Sequence, residues 1–103
     1  MRSNIGGVVG DGMDMHRPVW VKLAALSIRR PDARAPEQPP RNSLDMTAET
    51  SGLLQQWLRT STGEWIGIVD YEVPFANNER KPLWLEGQLV PAYALRPRKY
   101  GGG

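Results

Sequence analysis

Apolar and polar residues alternate most regularly along Glu64-Trp65-Ile66-Gly67-Ile68-Val69-Asp70-Tyr71-Glu72-Val73. Period-two alternation marks a strand with one buried face. It predicts Trp65, Gly67, Val69, Tyr71 and Val73 on one face, with Ile66, Ile68, Asp70 and Glu72 on the other. A glycine inside a strand weakens it unless another group packs over the bare backbone, and Trp57 or Trp84 is the ring expected over Gly67. Residues 54–60 form the preceding strand, joined through the turn Ser61-Thr62-Gly63. Pro74 ends the long strand. Ala76-Asn77-Asn78-Glu79 then supplies a turn in which asparagine tolerates positive φ. Leu83-Trp84-Leu85 returns, and the chain closes through Leu89-Val90-Pro91-Ala92-Tyr93-Ala94-Leu95.

Upstream the pattern is looser. Val19, Trp20 and Val21 favour a strand, and Lys22 interrupts the apolar run as a solvent-facing position does. Pro31 disfavours helical geometry at Arg30, so residues 19–28 are read as strand. Residues 31–52 carry Pro31, Pro36, Pro39 and Pro40, followed by a Ser/Thr-rich stretch. Prolines lack the amide that a sheet ladder needs, so this stretch is expected to be a long disordered loop. Residues 1–16 show no periodicity and are expected to be a disordered leader, and 99–103 a flexible tail. The fold class that follows is all-β: one domain over 17–98, a small barrel of four to five antiparallel strands. Two or three of the four tryptophans are expected to fill most of its interior, since each buries about 150–250 Å².

Composition narrows the chemistry. The 103 residues include 11 Gly and 9 Pro but no Cys, which excludes disulfides and thiolate metal sites and favours the cytoplasm. No apolar run reaches the length of a membrane span. The single histidine, His16, stands without a cysteine or nucleophile to work with. Asp70 and Glu72 share a strand face as paired carboxylates do, but a solvated strand end explains them better. The expectation is no enzyme, no metal and no cofactor.

The net charge of +2 is unevenly spread. Residues 17–30 hold Arg17, Lys22, Arg29 and Arg30 without an acid, and 96–99 hold Arg96, Arg98 and Lys99. Residues 53–95 are net −2. Basic flanks beside an acidic centre allow an alternative reading, a nucleic-acid binder in which Arg29, Arg30, Arg96, Arg98 and Lys99 meet phosphates and an exposed aromatic stacks on bases.

Gly63-Glu64-Trp65-Ile66-Gly67, followed by Leu89-Val90-Pro91-Ala92-Tyr93-Ala94-Leu95, resembles the second half of an SH3-type barrel. There a tryptophan-bearing strand follows a turn, and a proline opens a single 3₁₀ turn before the last strand. The resemblance covers residues 53–97. In peptide-binding SH3 domains a tryptophan, that proline and a tyrosine three residues later line the ligand groove. Trp65 and Pro91 match the first two, while Ala94 stands in the third place with the ring one residue earlier, at Tyr93. Over residues 19–98 the chain is also similar to small proteins widespread in actinobacteria, a resemblance that implies a family but no activity. The candidate ligand set is therefore Trp65, Tyr71, Trp84, Pro91 and Tyr93, with Trp84 set apart by its neighbours Arg80 and Lys81. The expected role is a protein-binding module whose partner is an unknown protein.

Overall fold

The computed structural model describes residues 16–27, 31, 32 and 34–99. Residues 1–15 of the expected leader, Ile28, Arg29, Arg30, Ala33 and residues 100–103 of the tail lie outside the described residues, whereas His16, the leader's last residue, bonds to Gln55. Five antiparallel strands form one sheet: β1 (Arg17–Lys22), β2 (Glu49–Arg59), β3 (Trp65–Val73), β4 (Leu83–Pro91) and β5 (Leu95–Pro97). The spatial order is β4-β3-β2-β1-β5. Three 3₁₀ turns complete the fold, at Leu23–Ala25, Ala76–Asn78 and Ala92–Ala94. The sheet curls until residues from β1 to β4 and the last turn share one interior. The all-β, small barrel-like architecture is the one expected from the alternation, and the 3₁₀ turn after Pro91 stands where the SH3 resemblance places it.

β3 follows its pattern closely. Gly67, Val69, Tyr71 and Val73 are buried, while Ile66, Ile68, Asp70 and Glu72 are partly open on the other face. Asn77 and Asn78 both take positive φ, 59° and 52°, as the turn between β3 and β4 requires.

Three expectations are corrected. First, β1 stops at Lys22. Leu23–Ala25 winds into a 3₁₀ turn, closed by Leu26 N–H on the Leu23 carbonyl at 2.9 Å. The reason is the spacing of Leu23 and Leu26, which one turn brings to the same side. Leu23 is fully buried, and Leu26 packs against the core. Second, β2 starts at Glu49, inside the stretch read as loop. Thr50, Gly52 and Leu54 alternate inward, and β1 pairs along all of them. The segment before it is also anchored. Leu44 bridges to Phe75, Asp45 N–H reaches the Pro74 carbonyl and Ala76 N–H the Ser43 carbonyl, each at 2.8 Å. Asp45 turns the chain locally by accepting from the Thr47 hydroxyl and amide at 2.6 and 3.0 Å.

Third, the tryptophans are not the core. The interior is Val19, Val21, Leu23, Leu54, Val69, Tyr71, Val73, Val90 and Ala94. Trp57, Trp65 and Trp84 are 39%, 48% and 50% exposed, and Trp20 is half-buried. Valines and leucines with a single tyrosine fill the narrow space enclosed by so short a sheet, and the indoles of Trp57 and Trp65 sit where the strands run past it.

Gly67 does lie beneath a ring. A Cβ there would sit 3.5 Å from Trp57 Cζ3, and closer still to the methyls of Leu54 and Leu95, at 2.7 and 3.0 Å. At Gly52 the nearest obstacle is backbone, the Asp70 carbonyl oxygen at 2.9 Å, with Tyr71 Cβ and Val21 Cγ2 at 3.1 Å. Leucine methyls can move and a strand carbonyl cannot. Gly52→Ala should therefore destabilise the fold by about 2–3 kcal/mol, and Gly67→Ala by less, within the range for overpacked cores. Urea denaturation of the two variants tests the order, and the reverse order would show that the Leu54–Leu95 contact is the stiffer of the two.

Candidate binding site

β2 is longer than its partner on one side. β1 accompanies it only as far as Arg17 opposite Leu54, whereas β3 pairs with it up to Trp65 opposite Arg59. The end of the β2–β3 hairpin thus projects beyond the barrel. Gln55 is an extra residue in β2, since Leu54 faces Val69 while Gln56 faces Ile68. This bulge resets the alternation. Leu54, Trp57 and Arg59 consequently share the inward face, opposite Val69, Gly67 and Trp65. Trp57 and Trp65 meet edge to face, with centroids 6.4 Å apart and planes at 83°. The Arg59 guanidinium lies 4.8 Å from the Trp65 centroid, a cation–π stack, and its Nη2 donates to the Gly63 carbonyl at 3.3 Å.

At the foot of this projection lies an open cleft of about 180 Å³. Val19, Leu54 and Leu95 line it with aliphatic carbon, Pro18, Pro97 and Trp57 form further apolar lining, and Arg17 and Arg96 border it. Its residues come from β1, β2 and β5. Among the described residues, Arg17 and Arg59 have no acidic partner.

The bulge is fastened from the outer face. Gln55 Nε2 donates to Asp70 Oδ2, and the Gly87 amide donates to Asp70 Oδ1 at 2.9 Å. Gly87, at φ 65°, belongs to a second bulge, where Val69 faces Gln88 but Tyr71 faces Leu85. His16 Nε2 lies 2.9 Å from Gln55 Oε1. Because the Gln55 amide nitrogen is already directed at Asp70, its oxygen accepts and His16 donates. Both Asp70 oxygens are occupied in holding strands together, and Glu72 faces Trp84 across the β3–β4 ladder.

The structure disperses the ligand set drawn from the sequence. Trp65 stands at the projection, above the cleft. Tyr71 is buried, and that burial pushes its phenol pKa up. Trp84 is on the outer face of β4, its indole N–H donating to Glu86 at 2.9 Å. Pro91 pairs with Ile66, so it faces away from Trp65, one residue earlier on β3. Tyr93 is 76% exposed on the last 3₁₀ turn. None of the five lines the cleft, and only Trp65 stands on the projection beside it. Trp57, expected only as a ring over Gly67, and Arg59 were not placed at a site because Leu54 and Trp57 are three apart, a spacing that puts residues on opposite faces of a regular strand.

The basic set is also placed. Arg29 and Arg30 lie outside the described residues, and Lys99 is exposed. Arg96 grips Glu49 through Nε and Nη2 at 2.9 and 2.7 Å. That hydrogen bond holds the Glu49 carboxyl below its ordinary value and raises Arg96. Arg98 donates to the carbonyls of Val19 and Gly52 at 3.2 and 3.1 Å. Both guanidiniums also approach the Trp20 ring, at 5.7 and 5.6 Å. Among the described residues no group of three His, Cys, Asp or Glu is placed to hold a metal ion, and no helix is long and apolar enough to cross a membrane. No family model, curated protein or solved structure matches the chain.

Two outcomes follow from this wiring. Asp70→Ala leaves the Gln55 amide and the Gly87 N–H without their acceptor and should cost about 1–3 kcal/mol in chemical denaturation. An unchanged midpoint would show that water replaces the carboxylate at both bulges. For Glu49, a lowered folded-state pKa means that the associated stability is present above its ordinary value of 4.5 and is lost as pH falls through the lowered one. Melting temperatures recorded down through that acid range should fall less steeply for Glu49→Gln than for the parent, and parallel curves would show the Arg96 pair to be energetically silent.

Proposed function

We propose that this domain is a non-enzymatic binding module that captures a segment of another protein at the cleft beneath Trp57 and Trp65. The carrying observation is the conjunction at one end of the barrel of an open apolar cleft, a pair of half-exposed indoles and two arginines without acids. Exposed tryptophan is costly to leave in water, and tryptophan and arginine dominate the energetics of protein interfaces. At about 25 cal/mol per Å², covering the open parts of two indoles is a substantial driving force. The absence of cysteine suits a reducing compartment, and we place the module in the cytoplasm.

Nucleic acid is a poorer fit. Arg96 is neutralised by Glu49, and Arg98 is spent on two backbone carbonyls. Two of the cations on which that reading depends are thus already engaged within the fold.

The test uses the full chain as bait in its native cell extract, with nuclease-treated and untreated arms. Proteins retained by the parent should be lost on Trp65→Ala and kept on Trp84→Ala, with circular dichroism confirming that both variants fold. Nuclease treatment should change nothing. Retention by the Trp65 variant, or a salt-sensitive submicromolar complex with a single-stranded oligonucleotide, would overturn the proposal.

A further inference from the structure

The projecting part of β2 has a second property besides its aromatic face. On one side its backbone is paired with β3 throughout. On the other side, no described residue pairs with it beyond Leu54. Among the described residues, 56–59 therefore present a short unpaired sheet edge, with backbone donors and acceptors in the sheet plane, beside the apolar cleft. An exposed edge is a template for another extended chain, and adding a strand to it is an established way of recognising a peptide.

Building on the reading that the cleft takes a protein segment, we infer that the segment binds as an added β-strand along residues 56–59 of β2. It carries an acidic residue beside Arg59 and apolar residues beside Leu58 and Trp57. The side chains of β2 set this order. Arg59 and Trp57 share the inward face, and Leu58, itself exposed, lies on the other. Cross-strand neighbours on one face come close enough to interact. Arg59 stacks on Trp65 and bonds to the Gly63 carbonyl but meets no acid among the described residues, so its charge is uncompensated when a carboxylate comes alongside. Arg17, at the other end of the open edge, supplies a second positive charge and disfavours a basic ligand. The Trp57 ring and the cleft below it accept the apolar side chain. Charge complementarity thus commits the site to an acidic, apolar, extended peptide.

The probe is a library of short acetylated and amidated peptides, each bearing glutamate followed by two varied apolar residues within a threonine-rich frame. Binding to the full chain is read by tryptophan emission. The best members should bind with Kd of about 10–100 µM. N-methylation of alternate peptide amides should abolish binding, because it removes the ladder donors while leaving the side chains in place. Arg59→Glu should weaken binding about tenfold or more, and lysine in place of the peptide's glutamate should restore it to that variant. Amide exchange in residues 56–59 should slow on binding. If N-methylated peptides bind equally well, strand addition is wrong, although the capture experiment with Trp65→Ala still decides the broader reading. If no member binds tighter than about 1 mM, the inferred ligand class is wrong. That includes the outcome in which residues preceding His16 already occupy the edge.

Discussion

The carboxylate of Asp70 is the constraint around which the sheet is arranged. Its two oxygens accept from an extra residue in β2 and from the amide of Gly87 in β4. β3 thereby pins a bulge on each of its neighbours at the same level. Each bulge reverses the alternation of its strand. In β2 this turns Trp57 and Arg59 inward rather than outward. In β4 it keeps Leu85 opposite Tyr71 on the inner side, while Leu89 on the far side of the bulge remains outside. Of the side chains lining the cleft, Trp57 owes its inward position to the bulge in β2, and Arg59 beyond it does likewise. The residue responsible sits on the opposite face, where sequence reading sees only a solvated acid.

What was legible in the sequence was whatever obeyed a single period. β3 is regular from Gly67 to Val73, and its alternation gives its buried face directly. The asparagine turn and the proline-opened 3₁₀ turn depend on local φ preferences, and they too appear where the residues indicate. The bulges were invisible, because nothing in Leu54-Gln55-Gln56-Trp57 distinguishes a regular strand from one with an extra residue. The start of β2 was hidden for a different reason. The nearby prolines argue against a ladder, but they end at Pro40, and the chain is already tied to the β3–β4 turn by Ser43 and Asp45. The tryptophans misled because hydrophobicity alone ranks them as core. Interior width decides what fits, and that is a property of the curled sheet.

Charge tells a similar story. Along the chain the cations gather at both ends, as they do in many polyanion binders. In three dimensions the two ends meet, since β5 pairs with β1, and the meeting consumes part of the charge. Arg96 crosses to an acid at the start of β2. Arg98 spans β1 and β2 through their carbonyls, so it extends the sheet where β5 has run out of residues. Two of the arginines without an acidic partner among the described residues, Arg17 and Arg59, lie at the two ends of the β2 projection.

The shortness of β5 has a consequence for how the cleft comes into being. Three residues pair with β1 across most of the length of the chain, and such closure carries the largest loop entropy in the fold. The β2–β3–β4 meander needs no such closure. The cleft needs it, because Leu95 and Pro97 supply part of its wall. A form in which the last strand has peeled away retains the β2–β3–β4 meander but has lost part of the cleft wall. Any ligand that fills the cleft draws the chain toward the closed form by its own binding free energy. The weakest joint in the barrel is thus also the one that occupancy reinforces.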